Sequence, residues 1–532
     1  MPASASRIAW LVVIVIGLAL LSRDLTERFN GWHEFNSAAY SRYARNHIAY
    51  GLDETKLYCT RGVTAEPPSP PRRYLNHPPL LALQVAIPLA LLGDHEWSAR
   101  LVPILASLGS TLLLMTILAR CGGALLGILG GLFFVMLPLT VHFGQMVDHV
   151  APVQFLSLLM MHGYLHWSGA YGREAARTRR GALWYSLGAV VGIGTGWAAV
   201  LMAGLLFGWH ALRVLRGQGE GRLLPWLAAV PGAALAAVIL HITAGVEGDF
   251  GMLGALLARR AEASDHALPE WLRTQGEYLV RNFTVAGAAV AVFGAALVAP
   301  LLARARRGAG PLRLPLPDAL AGVLAVTGLQ GLVYVLAFRS PAWFHDYWQF
   351  FLGPFVAGTL ALLAVAVHAV VKPAAPRLAF VAVAVLVAAP VPGLVASLRF
   401  YDRVEQIDPR YLEALEALSE HVPRRAPVWT ARRPRGGREV VGGHVNRWSN
   451  AIEVYYSNRP LHYSRDGEEV TRNAPGHAAF LLPVRDKPWS RDLARTLSLR
   501  YKVVPVGDHH LIFLLDRPLP DGRADAPRRP SA

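Results

Sequence analysis

The sequence Gly-Trp-His-Glu-Phe-Asn at residues 31–36 opens a polar loop that ends in His-Pro-Pro-Leu at residues 77–80. Within the loop, residues 40–47 read Tyr-Ser-Arg-Tyr-Ala-Arg-Asn-His, an aromatic and basic run that resembles a helix. The segments around this loop are otherwise apolar. Acid, imidazole, guanidinium and phenol side chains are therefore concentrated here, and we expect part of the chemistry of the protein to lie in this loop.

The composition of the chain is that of a membrane protein. Of its 532 residues, 53% are hydrophobic and only 17% are charged, and the mean hydropathy is +0.33. Soluble domains carry about 25% charged residues. Apolar runs of about 20 residues, long enough to cross a bilayer, recur as far as Leu398. The sequence predicts a mainly α, polytopic helical bundle of about eleven spans, near residues 8–22, 98–119, 123–141, 150–168, 183–196, 198–212, 224–243, 284–303, 319–338, 350–371 and 378–397.

The net charge of +16 raises the question of nucleic-acid binding. The arginines lie mostly in short clusters between apolar spans, the positive-inside pattern of membrane proteins, and in the C-terminal tail. We therefore interpret the charge as a topology signal and expect no nucleic-acid partner. The two cysteines, Cys59 and Cys121, fall on opposite sides of the membrane in this topology and provide no disulfide framework. The apolar run at residues 8–21 is not followed by a small-residue cleavage site, so we expect a retained first span.

The arginine clusters orient the chain in the membrane. With the clusters and the N-terminus on the cytoplasmic side, the loop 23–77, the segments 244–282 and 339–348, and the C-terminal region lie outside. The apolar segment 78–93 is too short to cross and is expected to lie at, or dip into, the outer face. The Ala- and Arg-rich composition fits a bacterial inner membrane, the location that we expect.

The C-terminal region differs in composition from the rest of the chain. From Tyr401 it becomes polar, with a helix-like run at 412–421 and strand-like runs at 428–430, 479–484, 501–506 and 511–515. These runs predict a small α/β extracytoplasmic domain over residues 399–517, after a membrane domain over residues 1–398. Residues 518–532, rich in Pro, Arg and Asp, are expected to form a disordered tail.

Two acids are the candidate catalytic residues, Glu34 in the first loop and Asp148 at the outer start of a span. An acid beside an apolar slot can act as a general base, and nearby guanidinium, imidazole and phenol groups can hold a phosphate. Such groups suit a reaction on a phosphorylated lipid at the outer face. The candidate substrate-binding residues are His33, Asn36, Tyr40, Arg42, His77, His345, Asp346 and Tyr347.

Each candidate also has an ordinary structural explanation. Glu34 can simply be solvated, and Asp148 can cap a helix or interact with its dipole. His77 before two prolines is a common helix entry, and His345 and Asp346 sit among interfacial aromatic residues. Arg42 can face water or anionic headgroups. The remaining histidines of the C-terminal region show no reliable metal-ligand spacing.

Several motifs, taken in order, resemble the GT-C membrane glycosyltransferases, in particular the protein O-mannosyltransferases and the lipid A aminoarabinose transferases. The motifs are Tyr40 with Ala44 and Gly51, His-Pro-Pro-Leu at 77–80, Ala-Arg-Leu-Val-Pro at 99–103, and Pro138 followed by Phe-Gly-Gln-Met-Val-Asp at 143–148 and Pro152. The likeness covers residues 8–200 by motif and residues 200–400 by layout alone.

The resemblance implies a glycosyltransferase that takes a sugar from a polyprenyl-phosphate donor at the outer face. It places the family's second acid at Asp148 and a residue near the donor phosphate at His77. Family members usually carry Asp-Glu where this chain has Asn36-Ser37, so either Glu34 takes the role of the first acid or this branch has altered it. The implied partners are the lipid-linked donor, membrane lipid, and a glycan, lipid or protein acceptor. A divalent metal is compatible with two acids beside a phosphate, although the sequence does not require one.

Two other functional classes predict different observations. A transporter or flippase of a lipid-linked or polar substrate predicts ionisable residues in mid-span, whereas this chain places almost all of them at span ends. A non-catalytic membrane scaffold predicts that Glu34, Asp148 and His77 can all be replaced without effect.

Overall fold

The computed structural model describes residues 3–61, 72–171, 179–245, 267–308, 311–404, 407–423, 428–430, 448–458, 461–463, 479–483 and 488–518. The chain divides into two compact units. The first unit comprises Met1–Thr26, Leu75–Gln84 and His95–Tyr401, and the second comprises Glu27–Tyr74, Val85–Asp94 and Asp402–Ala532.

The protein is mainly helical, as predicted. Its helices are α1 Ala3–Leu21, α2 Phe35–Tyr50, α3 Leu52–Thr55, α4 Leu80–Leu92, α5 Glu96–Gly122, α6 Ala124–Met136, α7 Pro138–Phe143, α8 Val150–Trp167, α9 Arg179–Thr195, α10 Ala198–Leu215, α11 Leu224–Gly245, α12 Leu268–Arg306, α13 Pro317–Ala337, α14 Arg339–Phe344, α15 Gly353–Val371, α16 Pro376–Ala388, α17 Val391–Asp402, α18 Pro409–His421, α19 Trp448–Ser457 and α20 Pro488–Ser498. Short 3-10 helices form at Gly221–Leu223 and Asp346–Leu352.

The predicted membrane spans all appear as helices. Among the described residues, seven helical segments are long and apolar enough to cross a membrane: α5, α10, α11 with its preceding turn, α12, α13, α15 with the preceding 3-10 helix, and α16 with α17. Shorter apolar helices occur at Ser6–Leu21, α4 and α6. The prediction of an integral membrane helical bundle is thereby confirmed. The 13 residues of α4 fall short of the roughly 20 needed to cross, as its sequence suggested.

Two of the differences from the predicted spans have local reasons. The span expected at 123–141 is broken into α6 and α7, because Pro138 occupies the first turn of a new helix after the extended residue Leu137. The span expected at 284–303 belongs to α12, which begins at Leu268 and has a non-helical residue, Thr284, at φ +64°. Hydropathy marked only the apolar half of α12, because charged residues precede the kink.

Close helix contacts in the first unit depend on small residues. A side chain at Gly163 of α8 would meet the Tyr185 backbone nitrogen of α9 at 2.3 Å, so the two helices pack backbone to backbone. Polar side chains also join helices in the interior. Gln330 Nε2 of α13 donates to Ser157 Oγ of α8 at 3.0 Å.

The second unit contains the first loop and the C-terminal region. In the loop, α2 and α3 precede an antiparallel pair of strands, β1 Cys59–Arg61 and β2 Arg72–Tyr74. The C-terminal region has a five-stranded sheet of β3 Val428–Thr430, β4 Leu461–Tyr463, β5 Ala479–Pro483, β6 Tyr501–Val506 and β7 His510–Pro518, in the order β4-β3-β5-β7-β6.

The sheet is mixed, which explains part of its weak sequence signal. Strand β3 is parallel to β4 and β5, whereas β7 is antiparallel to β5 and β6. Its core is formed by Trp429, Phe480, Leu482, Leu493, Leu497, Tyr501, Phe513 and Leu515. The four predicted strands and the helix α18 are present, while α19, α20 and β4 were not predicted from the sequence.

The first loop packs against the C-terminal region within this unit. The Phe29 backbone nitrogen donates to Tyr456 Oη at 2.7 Å, and Asn30 exchanges two hydrogen bonds with the backbone of Ile407, at 2.6 and 2.8 Å. An ion pair at 2.7 Å joins Arg28 to Glu416. Each unit is thus built from separate segments of the chain. The predicted domain limits at 398 and 518 stay predictions. The predicted tail beyond Pro518 lies outside the described residues.

Candidate active site

Asp148 lies at the end of a tightly held loop between α7 and α8. The loop begins at Gly144, where a side-chain carbon would lie 2.1 Å from the Thr140 carbonyl oxygen and 2.8 Å from Ser107 Oγ. Ser107 Oγ also donates to the Gly144 carbonyl at 2.8 Å. Gln145 Nε2 donates to Asp24 Oδ2 at 3.0 Å. These contacts fix the loop to α5 and to the end of the first span.

The Asp148 cluster consists of Asp148, His149 and His77. Asp148 and His149 are 2% and 1% exposed, and Asp148 Oδ1 lies 2.7 Å from His149 Nδ1. The same oxygen accepts a hydrogen bond from the Val150 backbone nitrogen at 3.3 Å. The His77 ring lies against the His149 ring, with centroids 4.3 Å apart and planes inclined by 32°. A buried carboxylate and two imidazoles therefore meet at the start of α8.

The segment that carries His77 is anchored to the turn between α9 and α10. Trp197 Nε1 donates to the Asn76 carbonyl at 3.0 Å, and Gln84 Nε2 of α4 donates to Thr195 Oγ1 at 2.9 Å. The turn also approaches His149 closely, because a side-chain carbon at Gly196 would lie 3.1 Å from its Cδ2 atom. The two prolines after His77 directly precede α4. His77 therefore has its ordinary structural explanation, as part of a helix entry, and is also a member of the Asp148 cluster.

The Asp346 network is a second polar cluster in the first unit. Asp346 is 1% exposed, and its Oδ2 atom lies 2.7 Å from an Arg281 guanidinium nitrogen. Asn282 Nδ2 donates to the Asp346 carbonyl at 3.0 Å and to Gln349 Oε1 at 3.1 Å. Tyr401 Oη donates to Asn282 Oδ1 at 2.7 Å. The kinked helix α12 is thereby tied to the 3-10 helix and to α17.

Helix α7 packs against this network just before it leads to Asp148. The His142 ring stacks on the Tyr401 ring at 4.0 Å, and the Phe143 ring lies 5.7 Å from that of Tyr347. His345 is half-buried, with its ring 5.1 Å from the Tyr347 ring. The predicted substrate-binding residues His345, Asp346 and Tyr347 therefore lie in a cluster of aromatic and charged side chains. Within it, Asp346 is already paired with the Arg281 cation.

The five other predicted site residues belong to the second unit. Glu34 is 6% exposed and forms the N-cap of α2 through its backbone, since its carbonyl accepts from the Ala38 nitrogen at 3.0 Å. His33 has φ +61°, a left-handed conformation that non-glycine residues rarely adopt. Asn36 lies in the first turn of α2, and the expectation of a solvated Glu34 is wrong, because its side chain is buried.

Two further predicted residues, Tyr40 and Arg42, lie on α2. Both are buried, at 4% and 9% exposure. The Tyr40 ring is 5.8 Å from the Tyr43 ring, and the Arg42 guanidinium lies 5.5 Å from the same Tyr43 ring. Arg42 therefore does not simply face water. How these residues act on a substrate stays a prediction.

Burial perturbs titratable groups in the second unit. Desolvation lowers the pKa of His47 to about 4, while its Nδ1 atom is 2.9 Å from Thr55 Oγ1. Desolvation raises the pKa of the Cys59 thiol to about 12. His47 is thus neutral and Cys59 is an unreactive thiol at neutral pH. Neither group has the properties of a catalytic residue.

In the part of the chain that the structure describes, no three His, Cys, Asp or Glu side chains are arranged to hold a metal ion. Among the described residues, sequence patterns missed Arg281, the partner of Asp346. A charged residue within a long helical segment is the signal that could have drawn attention to it.

Comparison with known proteins supports the fold and the class. Residues 76–242 match the family described as dolichyl-phosphate-mannose-protein mannosyltransferase. This segment contains His77, Asp148 and His149. No curated protein matches the chain as a relative.

Solved structures extend the likeness along nearly the whole chain. ArnT from Cupriavidus metallidurans bound to undecaprenyl phosphate is 14% identical with a TM-score of 0.61, over 97% of this chain and 98% of that one. The apo oligosaccharyltransferase of Archaeoglobus fulgidus is 12% identical with a TM-score of 0.56, over 94% of this chain and 70% of that one. At these identities the likeness establishes a shared fold. Together with the family match over residues 76–242, it confirms the resemblance to GT-C membrane glycosyltransferases that the sequence motifs indicate.

Proposed function

We propose that this enzyme transfers a sugar from a polyprenyl-phosphate-linked donor to an acceptor hydroxyl on the extracytoplasmic face of the membrane, with inversion at the anomeric carbon. The observation that carries the proposal is the cluster of the buried residues Asp148 and His149 with the partly buried His77, which lies in the segment matched by the family. The shared fold with an enzyme whose structure contains undecaprenyl phosphate supports the choice of donor.

The proposed step is a direct displacement. The acceptor oxygen forms a bond to the anomeric carbon, and the bond from that carbon to the phosphate oxygen breaks. The electron pair leaves with polyprenyl phosphate, and the acceptor proton passes to a carboxylate. A single displacement inverts the configuration of the sugar.

We assign the proton-accepting role first to Asp148. Both of its described contacts use Oδ1, which the Val150 nitrogen and His149 hold in place, so Oδ2 is the atom that we assign to the acceptor proton. Glu34 is the alternative base or the residue that orients the acceptor. Its burial is consistent with either role.

The leaving phosphate needs positive or hydrogen-bond-donating groups. His77 is our first candidate, because its ring lies against that of His149, which in turn contacts Asp148. We propose supporting roles for Arg42 and His345. Asp346 carries a negative charge that is already balanced by Arg281, and we now propose that it positions this arginine.

The natural test follows release of polyprenyl phosphate. Purified full-length protein is incubated with a panel of polyprenyl-phosphate sugars and a bacterial membrane extract as the acceptor source. We expect release by the wild type with at least one donor, and a loss of about 100-fold or more in Asp148→Asn or Glu34→Gln.

Two control variants test whether removal of any carboxylate would reduce release. Asp318→Asn removes an acid from the first turn of a spanning helix, where the side chain is 72% exposed. Asp53→Asn removes an exposed acid from the first loop. Both controls should keep wild-type release. Equal release by all four variants would contradict the site assignment, and no release by folded wild type with any donor of a broad panel would contradict the proposed reaction.

A further inference from the structure

A cavity of about 480 Å³ lies at the end of the first unit opposite to the Asp148 cluster. It is lined by Ser6, Arg7, Trp10, Thr116, Ala119, Arg120 and Ala124. These residues come from the beginning of α1, the end of α5 and the beginning of α6, and α6 runs from this end toward the loop that carries Asp148. The proposed transfer reaction makes no use of this cavity.

Two arginines give the cavity a positive lining. Arg7 and Arg120 are both exposed, and neither has an acidic partner among the described side chains. The Arg120 guanidinium is steadied by the Tyr171 ring, whose centroid is 5.1 Å away. Two guanidinium groups beside one opening are suited to a phosphate, which they can contact with paired hydrogen bonds.

The surroundings favour a lipid phosphate over a dissolved one. Trp10, which lines the cavity, packs against the apolar cluster of Val13, Met115 and Val135. Large apolar side chains are also exposed on α1 and α5, at 63% for Leu11 and 41% for Leu112. A molecule with both a phosphate and acyl chains would match the arginines and the exposed apolar surface together.

We propose that Arg7 and Arg120 bind the headgroup phosphate of an anionic phospholipid, in the leaflet opposite to the one in which we place sugar transfer. The predicted topology makes this the cytoplasmic leaflet, where arginine pockets between helices attract anionic lipids. The site is independent of the transfer reaction, because it lies at the other end of the helices. Its test therefore measures binding and not activity.

The experiment is native mass spectrometry of the full-length protein in detergent, with phosphatidylglycerol and phosphatidylcholine offered at equal concentration. Wild type should retain phosphatidylglycerol preferentially. The preference should fall about tenfold or more in Arg7→Ser/Arg120→Ser, since both cations that attract the anionic headgroup are removed. Arg7→Lys/Arg120→Lys should keep part of it, which separates binding from folding.

The matched control is Arg377→Ser, which removes an exposed arginine from the start of α16, at the same predicted side of the membrane. It should leave the preference unchanged. An equal loss in Arg377→Ser would show a general charge effect and would overturn the proposal. Equal retention of the two lipids by wild type would do so too, and so would displacement of phosphatidylglycerol by millimolar inorganic phosphate, which would indicate a site for a soluble anion.

Discussion

The His77 and His149 rings lie against one another with centroids 4.3 Å apart, although the two residues are 72 positions apart in the sequence. His77 precedes α4, and His149 is the N-cap residue of α8. The contact brings a motif of the first loop to the acid that precedes α8. A donor phosphate at the edge of these rings would lie next to Asp148, which is the arrangement that the proposed displacement requires.

Replacement of His77 should weaken binding of the donor more than it slows the transfer step. We expect His77→Gln to raise the KM for the polyprenyl-phosphate sugar about tenfold, because a charge-assisted hydrogen bond to phosphate contributes about 1.5–3 kcal/mol. His77→Lys, which restores a cation, should recover most of this loss. Steady-state kinetics in detergent measure both values. His509→Gln, at an exposed position of the second unit, is the control. An unchanged KM in His77→Gln would remove His77 from the donor site.

Gly144 should tolerate no side chain. In Gly144→Ala the new carbon would lie 2.1 Å from the Thr140 carbonyl oxygen, so the loop that carries Asp148 must shift. We expect sugar transfer to fall at least about tenfold, since a displacement of about 1 Å in a catalytic group has large effects. The matched replacement is Gly204→Ala in α10, where no atom lies within 4 Å of the added carbon. Similar activity of the two variants would contradict this account of the loop.

The ion pair between Arg281 and Asp346 should be important for stability. Asp346 is fully buried, so Asp346→Asn leaves the guanidinium without its charge partner, and we expect a loss of about 3–5 kcal/mol in unfolding free energy. Thermal unfolding in detergent should show a clearly lower midpoint. The double variant Arg281→Met/Asp346→Leu should recover much of the lost thermal midpoint, because no unpaired charge remains. Equal midpoints for Asp346→Asn and wild type would show that the pair contributes little.

Burial of His47 should make the stability of the folded protein sensitive to acid. Its pKa is about 4 when folded, owing to burial, against about 6.5 when unfolded. The unfolded state therefore takes up a proton first as the pH falls, so the stability present above pH 6.5 decreases progressively toward pH 4. His47→Gln should show a smaller drop of the thermal midpoint between pH 7.5 and 4.5 than wild type, whereas His509→Gln should follow wild type. Parallel curves for wild type and His47→Gln would refute this.

Much of the membrane fold could be predicted, because the lipid-like composition of a span is a local property. The break at Pro138 was not predicted, since it divides an apolar run that hydropathy alone treats as continuous. The part of α12 before the kink at Thr284 was missed because its charged residues carry no hydropathy signal. The helix α19 was also missed. Its residues, such as Tyr456, find their partners in the first loop, far away in the sequence.

The site was predicted in part. Asp148 and His77 carried motif signals, and the structure brings them together through His149. The Arg281 partner of Asp346 was not recognised, because the two lie on different helices and no local pattern connects them. Burial of Glu34 was likewise hidden, since it depends on how the first loop folds and not on neighbouring residues.

The most direct test of the central claim is a single-turnover measurement with enzyme in excess over a polyprenyl-phosphate sugar that the wild type accepts. The rate of polyprenyl phosphate formation is compared between wild type, Asp148→Asn and Asp318→Asn. Our account predicts a rate about 100-fold or more lower in Asp148→Asn alone, with an unchanged thermal midpoint. A rate in folded Asp148→Asn equal to that of wild type would contradict the assignment of Asp148 to the transfer step.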